Sequence, residues 1–311
     1  MAGSPDINSL FERRLAFPDP DARKRLDRLV GLDVQKERVA KMLGILINPK
    51  GIEDWAKKHH PDATDLVRLV QRRPPLVVFA GDVGSGKTEL AETIGDAVAR
   101  QEHIEITLFP LSLSTRGQGR VGEMTQLLAA AFEIAETEAR KLSGRGRATG
   151  GIILLVDEAD ALAQSRESSQ MHHEDRAGVN AFIRGIDRLA AKQLPAAVIM
   201  CTNRLDALDP AVRRRAADIL SFERPNSDQR RAVVEGALKP AGVGRRAIDA
   251  IVKATGPKGQ GGYGYAYSDL IQRFLPAVVL DAYPEGAIKE DRAIAIAESM
   301  AATPPFKEQR A

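Results

Sequence analysis

The octapeptide Gly81-Asp82-Val83-Gly84-Ser85-Gly86-Lys87-Thr88 matches the pattern G-x-x-x-x-G-K-[ST]. Glycines at these positions let successive backbone N–H groups converge on phosphate oxygens, and a helix opening directly after them adds positive potential. A lysine so placed reaches the terminal phosphates, and the closing threonine hydroxyl is a magnesium ligand. Further along, Ile152-Ile153-Leu154-Leu155-Val156-Asp157-Glu158 is an apolar run that ends in two adjacent carboxylates. Nucleotide hydrolysis needs such acids at the carboxyl edge of a parallel sheet, Asp157 to hold the magnesium shell and Glu158 to polarise the attacking water. Alone, an acid pair closing an apolar run has surface charge as its lesser reading; behind the loop at Lys87 it completes a site for ATP and Mg2+.

Those groups can converge only if the chain supplies strands that end beside one another. Short apolar runs at 75–80, 104–111, 152–156, 197–201 and 219–222 have the length and composition of buried strands. Between them, residues 87–100 bring Leu90, Ala91, Ile94, Ala97 and Val98 to one helical face, and residues 124–142 do the same with Leu127, Leu128, Ala131 and Ile134. This is the rhythm of an α/β fold, a parallel sheet sandwiched by helices. After Pro225 the strand signals stop, and helical patterns at 228–238, 246–255 and 268–283 predict a small all-helical lid domain reached through Arg224-Pro225-Asn226. The expected division is an arm at 1–24, a large α/β ATPase domain at 25–225 and the lid at 226–311. The arm, with Pro5, Pro18 and Pro20 among mixed charges, is expected to pack little core of its own. No internal repeat is visible.

Bulk composition narrows the partners. The 311 residues carry 45 basic and 42 acidic side chains, a formal charge of +3, which makes no electrostatic case for nucleic acid. No run approaches the ~20 apolar residues that cross a bilayer, and the first residues, with Asp6 and Glu12 close by, lack a hydrophobic signal core, so the expected location is the cytoplasm. The single cysteine, Cys201, sits in an apolar run and reads as a small packed hydrophobe.

From Leu29 to Pro276 the sequence resembles the AAA+ family of ATPases, a phosphate-loop α/β module followed by a small helical lid. The resemblance implies further residues. Asn203, closing the run Ala197-Val198-Ile199-Met200-Cys201-Thr202-Asn203, matches the family's sensor-1 asparagine, which lies beside the γ-phosphate and helps to orient water. Leu208-Asp209-Pro210-Ala211-Val212-Arg213-Arg214-Arg215 looks like the segment carrying arginine fingers, with Arg215 the first choice and Arg214 the second, acting on the nucleotide of a neighbouring subunit in a ring, here a hexamer. Gly31 and Leu32, within Leu29-Val30-Gly31-Leu32-Asp33, are similar to the short motif against the adenine. Tyr267-Ser268-Asp269-Leu270 resembles the start of the sensor-2 helix, but the family's arginine is missing there and Arg273 comes one turn later.

What the motor would act on also rests on resemblance. Arg120, Val121 and Gly122 occupy the place of the pore loop with which ring-shaped members grip polypeptide. Arg120 stands where those proteins carry an aromatic residue, and a guanidinium grips side chains less well than an aromatic wedge. The stretch from Asp157-Glu158-Ala159-Asp160-Ala161-Leu162 through Arg166, with Glu174 to Phe182 and Ile186-Asp187, looks like the pachytene-checkpoint branch, which remodels HORMA-domain proteins. Bacterial relatives of that branch lack a folded N-terminal domain and accompany cyclic-nucleotide anti-phage systems. A DNA-linked loader or transposition helper, and an activase for a metabolic enzyme, are the alternatives. His172-His173-Glu174-Asp175 lacks a spacing that puts three metal ligands on one helical face, and Tyr263, Tyr265 and Tyr267 read as loop packing.

Overall fold

All five apolar runs are strands, as their length and branched, leucine-rich composition require. They are β2 (Leu76–Gly81), β3 (Glu105–Ser112), β4 (Gly150–Asp157), β5 (Ala196–Thr202) and β6 (Ala216–Phe222); a sixth, β1 (Leu15–Phe17), precedes them, and the sheet order is β1-β3-β4-β5-β2-β6. This is a computed structural model, and it describes residues 10–11, 13–113, 123–144, 148–160, 173–206, 208–259 and 262–305, without the side chains of 173–175. Pairing is parallel for β3 with β4, β4 with β5 and β5 with β2. The register lines up Phe109, Leu154, Val198 and Leu76 across four strands, and all four are fully buried. The same register sets Ser112 opposite Asp157 and Ala80 opposite Thr202, so the strand ends that bear polar groups share one edge of the sheet.

The chain divides into two compact units. The first takes in the chain through Arg28, Val34–Ala80 and Thr88–Ser221; the second takes in Leu29–Asp33, Gly81–Lys87 and the chain from Phe222 onward.

In the first unit the sheet is accompanied by α1 (Pro20–Asp27), α2 (Asp33–Ile47), α3 (Pro49–His59), α4 (Thr64–Gln71), α5 (Lys87–Glu102), α6 (Glu123–Leu142), α7 (His173–Ala191) and the short α8 (Pro210–Arg213). α6 turns Leu128, Ala131, Phe132, Ile134, Ala135 and Ala139 inward, and Phe132 meets Phe182 of α7 edge to face at 5.7 Å. Such an aromatic pair adds roughly 0.5–1.5 kcal/mol beyond its area burial.

The beginning of the chain departs from expectation, since it contributes core. β1 pairs antiparallel with β3, Phe11 and Phe17 are each 3% exposed, and Phe11 lies 5.0 Å from the ring of Phe109. Burying each phenylalanine contributes roughly 1.5–3 kcal/mol. Asp19 caps α1 by accepting from the amides of Asp21 and Ala22, and Arg25 forks onto Glu89 and Glu92 of α5, where Arg13 also pairs with Glu92. Proline and mixed charge hid this because the burial depends on two isolated phenylalanines with no local period.

In the second unit, α9 (Ser227–Leu238), α10 (Arg245–Ala254), a π-helical turn (Asp269–Phe274), α11 (Leu275–Ala282) and α12 (Glu290–Ser299) enclose Val234, Ile251, Tyr265, Leu270, Phe274 and Ala297. α9 starts with a full capping box between Asn226 and Gln229. The sequence predicts one helix over 268–283; instead the π turn precedes α11. Pro276 has no N–H to give and its ring crowds the carbonyl one turn back, so the backbone widens there. Tyr265 and Tyr267 are core residues, the former donating its hydroxyl to the carbonyls of Ala297 and Met300.

Candidate active site

β4 delivers its acids where the register ends. Asp157 accepts from the Thr88 hydroxyl and from the Glu158 amide at 2.8 Å, and burial, reinforced by the charges of Glu158 and Glu92, pushes its carboxyl above the ordinary aspartate range. A cation beside it would restore the ionised form. Glu158 follows with φ 53°, a left-handed conformation in which a non-glycine residue is strained by about 1 kcal/mol or more. Its carboxylate is exposed, and Ser112 Oγ donates to Oε2 at 2.8 Å from the facing end of β3. A hydroxyl, a half-buried carboxylate and an exposed carboxylate thus stand together, a set able to hold a hard cation and accept a proton from water.

Asn203 is held from the same loop. Asp160 Oδ1 accepts from the Thr202 hydroxyl at 2.8 Å and from the Asn203 amide at 2.7 Å, while Oδ2 accepts from Asn203 Nδ2 at 3.0 Å. One carboxylate therefore fixes both the backbone and the side-chain amide of Asn203. The signal for Asp160 was present, an acid three residues after Asp157, but its partners stand at the end of another strand.

In the second unit the phosphate loop is wound with Gly84 and Gly86 at φ 72° and 94°, where a side chain would be strained. Gly84 also leaves no room for a Cβ, which would fall 1.9 Å from Ser268 Oγ. Ser85 and Lys87 are buried, Asp82, Gly81, Gly84 and Gly86 half-buried, and Val83 exposed. Lys87 Nζ donates to the carbonyls of Gly81 at 2.9 Å and Asp82 at 2.7 Å. From Lys87 the chain passes directly to Thr88 and into α5. Gly31 and Leu32 belong to this unit: Gln229 Nε2 donates to the Gly31 carbonyl at 2.8 Å, and Leu32 packs over Gly86. Gln229 carries no motif; only its place three residues after the cap Asn226 hinted at a role.

The arginines separate. Arg215 is clamped by Asp187, with Nε at 2.7 Å and Nη2 at 2.9 Å from the carboxylate, whereas Arg213 and Arg214 are exposed. Arg273 donates to Asp269 at 2.8 Å and to the carbonyl of Ala301 at 3.2 Å. Arg120, Val121, Gly122 and His172 lie outside the described residues, as do the side chains of His173, Glu174 and Asp175. Cys201 is buried. Among the described residues no helix is long and apolar enough to cross a membrane.

Residues 77–224 match the family of ATPases associated with various cellular activities (AAA). The chain is 60% identical over 307 residues to CD-NTase-associated protein 6 of Escherichia coli strain MS 115-1, covering 98% of this chain and 99% of that protein. Its fold superposes on a chain of the E. coli MS115-1 HORMA:CdnC:Trip13 complex with a TM-score of 0.90 at 59% identity, covering 98% of this chain and all of that one. A Rhizobiales Trip13 structure superposes with a TM-score of 0.75 at 57% identity, over 95% of this chain and 100% of the other. A phosphate loop before a helix, paired acids at the sheet edge and relatives along its whole length make this chain a nucleotide-binding member of the AAA family of ATPases.

Proposed function

We propose that the protein uses ATP hydrolysis to remodel a HORMA-domain signalling protein in a bacterial anti-phage system, working in the cytoplasm as a homo-oligomeric ring, a hexamer. The observation that carries this reading is the full-length similarity to a chain from a HORMA:CdnC:Trip13 complex. The test is co-elution: with hydrolysis blocked by Glu158→Gln, the ring should retain a HORMA protein encoded beside it during size-exclusion chromatography in ATP and release it in ADP. A HORMA protein that stays separate in both nucleotides overturns the proposal, and retention of duplex DNA instead would move it to a DNA-linked switch.

Within each subunit, Gly81 to Lys87 hold the phosphates of ATP, Gly31 and Leu32 lie against the adenine, and Thr88 with Asp157 hold Mg2+. The fit to Mg2+ is chemical. A threonine hydroxyl and one carboxylate are hard oxygen donors, and this ion keeps waters and substrate phosphates for its other positions. Bound there, it would neutralise charge on the transferring phosphoryl group. Glu158 takes the proton of the attacking water, with Ser112 holding its carboxylate, while Asn203, fixed by Asp160, orients that water. Arg120, Val121 and Gly122 form the pore loop.

Arg214 and Arg215 form the finger pair acting on the neighbouring subunit's nucleotide; Arg214 is the exposed member and Asp187 holds the other. Arg214→Ala and Arg215→Ala subunits are each expected to bind ATP nearly normally and hydrolyse it slowly, by a factor of roughly 10³ where the finger is the principal one. Mixed with Lys87→Ala subunits, they should regain turnover at interfaces that pair an intact finger with an intact loop. Mixed rings as inactive as their parents would rule out action in trans.

A further inference from the structure

The phosphate loop is gripped from outside by a residue that no motif marks. Arg224 has a largely buried side chain, 13% exposed, and each nitrogen of its fork has a different partner. Nε donates to Asp82 Oδ2 at 2.5 Å, Nη1 to the Gly264 carbonyl at 2.6 Å and Nη2 to the Thr303 carbonyl at 2.7 Å, while the guanidinium covers the ring of Tyr263 at 4.9 Å. Thr303 is anchored in turn. Its amide and hydroxyl donate to the fully buried Asp269, at 3.0 and 2.6 Å. Asp82 is the second residue of the loop, and its carbonyl is one of the two that receive Lys87 Nζ. One residue therefore links the two cations, Arg224 through its side chain and Lys87 through its backbone.

We propose that Arg224 is a positioning residue for Lys87, acting through Asp82, and that the segment after α12 is part of the nucleotide grip because Thr303 holds the far side of the same guanidinium. A planar fork with three fixed directions can do this; an ammonium on a flexible stem cannot hold all three at once. The inference rests on the loop being the ATP site. It goes further in assigning residues outside that loop to its affinity.

The experiment compares full-length Arg224→Lys, Asp82→Asn, their double variant and a chain lacking residues 303–311, each by calorimetric ATP titration, steady-state hydrolysis and thermal unfolding without nucleotide. Arg224→Lys should raise Kd and KM for ATP about tenfold or more, the scale of a lost charge-assisted hydrogen bond, while kcat at saturating ATP stays within roughly threefold. The double variant should bind no more weakly than Asp82→Asn alone, since both break one link. The shortened chain should also lose affinity, and adding Arg224→Lys to it should cost little more. Unchanged affinity in Arg224→Lys, multiplying losses in the double variant, or affinity falling only in step with the melting temperature would overturn the positioning role. A shortened chain that binds ATP normally would overturn the part assigned to Thr303. Lys87→Ala separates the two levels: if it still binds ATP the loop assignment falls and this inference with it, whereas loss of ATP there beside normal binding in Arg224→Lys refutes the inference alone.

Discussion

Lys87→Ala is expected to abolish ATP binding, weakening it by a factor on the order of 10² or more, because a charge-assisted hydrogen bond to each of two phosphates is lost at once. Lys87 is the loop's one cation, and Asp82 is its one anion. Without the ammonium, phosphate charge would face backbone amides with no counter-charge from the loop itself. The buried position of Lys87 sharpens the effect, since water compensates poorly there. Direct titration with ATP checks this, and an affinity equal to that of the unaltered protein would remove the phosphate role from this loop.

Glu158→Gln should separate binding from chemistry. Glutamine keeps the length of the side chain and an oxygen that can accept the Ser112 hydroxyl, and it occupies the same strained backbone position at φ 53°. What it lacks is a basic oxygen to take the proton of the attacking water. Hydrolysis at saturating ATP should fall by roughly 10² or more, the scale of removing a positioned general base, with ATP affinity little changed. Phosphate release measured beside a binding titration distinguishes the two quantities. Turnover within a few-fold of the unaltered protein would mean that another group accepts the proton, and Asp157 would then have to be reconsidered.

Much of this architecture was legible because its signals are local. The phosphate loop is eight consecutive residues, and its glycines announce backbone angles that other residues avoid, as Gly84 and Gly86 show. The strands were equally plain, since a run such as Ile152 to Val156 has no polar face to offer solvent and must be covered on both sides. Where the sequence offered no sign, the deciding contact was distant, as with Phe11 on Phe109.

By itself, then, the sequence determined the ATPase family and the elements it is built from: a glycine-rich loop before a helix, two acids at a strand end, an α/β sheet and a helical segment after Pro225. Only the tertiary structure decided how the groups around those acids and that loop are held. Asp160 and Asn203 follow the ends of two different strands, whose parallel pairing brings one carboxylate to both amide groups of Asn203. Arg224, Asp82, Gly264 and Thr303 come from four stretches of chain, and no periodicity relates them. A side chain's preference for helix or strand is set by its neighbours within a turn or a pleat, so it can be read locally. The partner of a buried charge is set by whichever distant backbone the fold brings within about 3 Å, and that distance exists only once the core has closed.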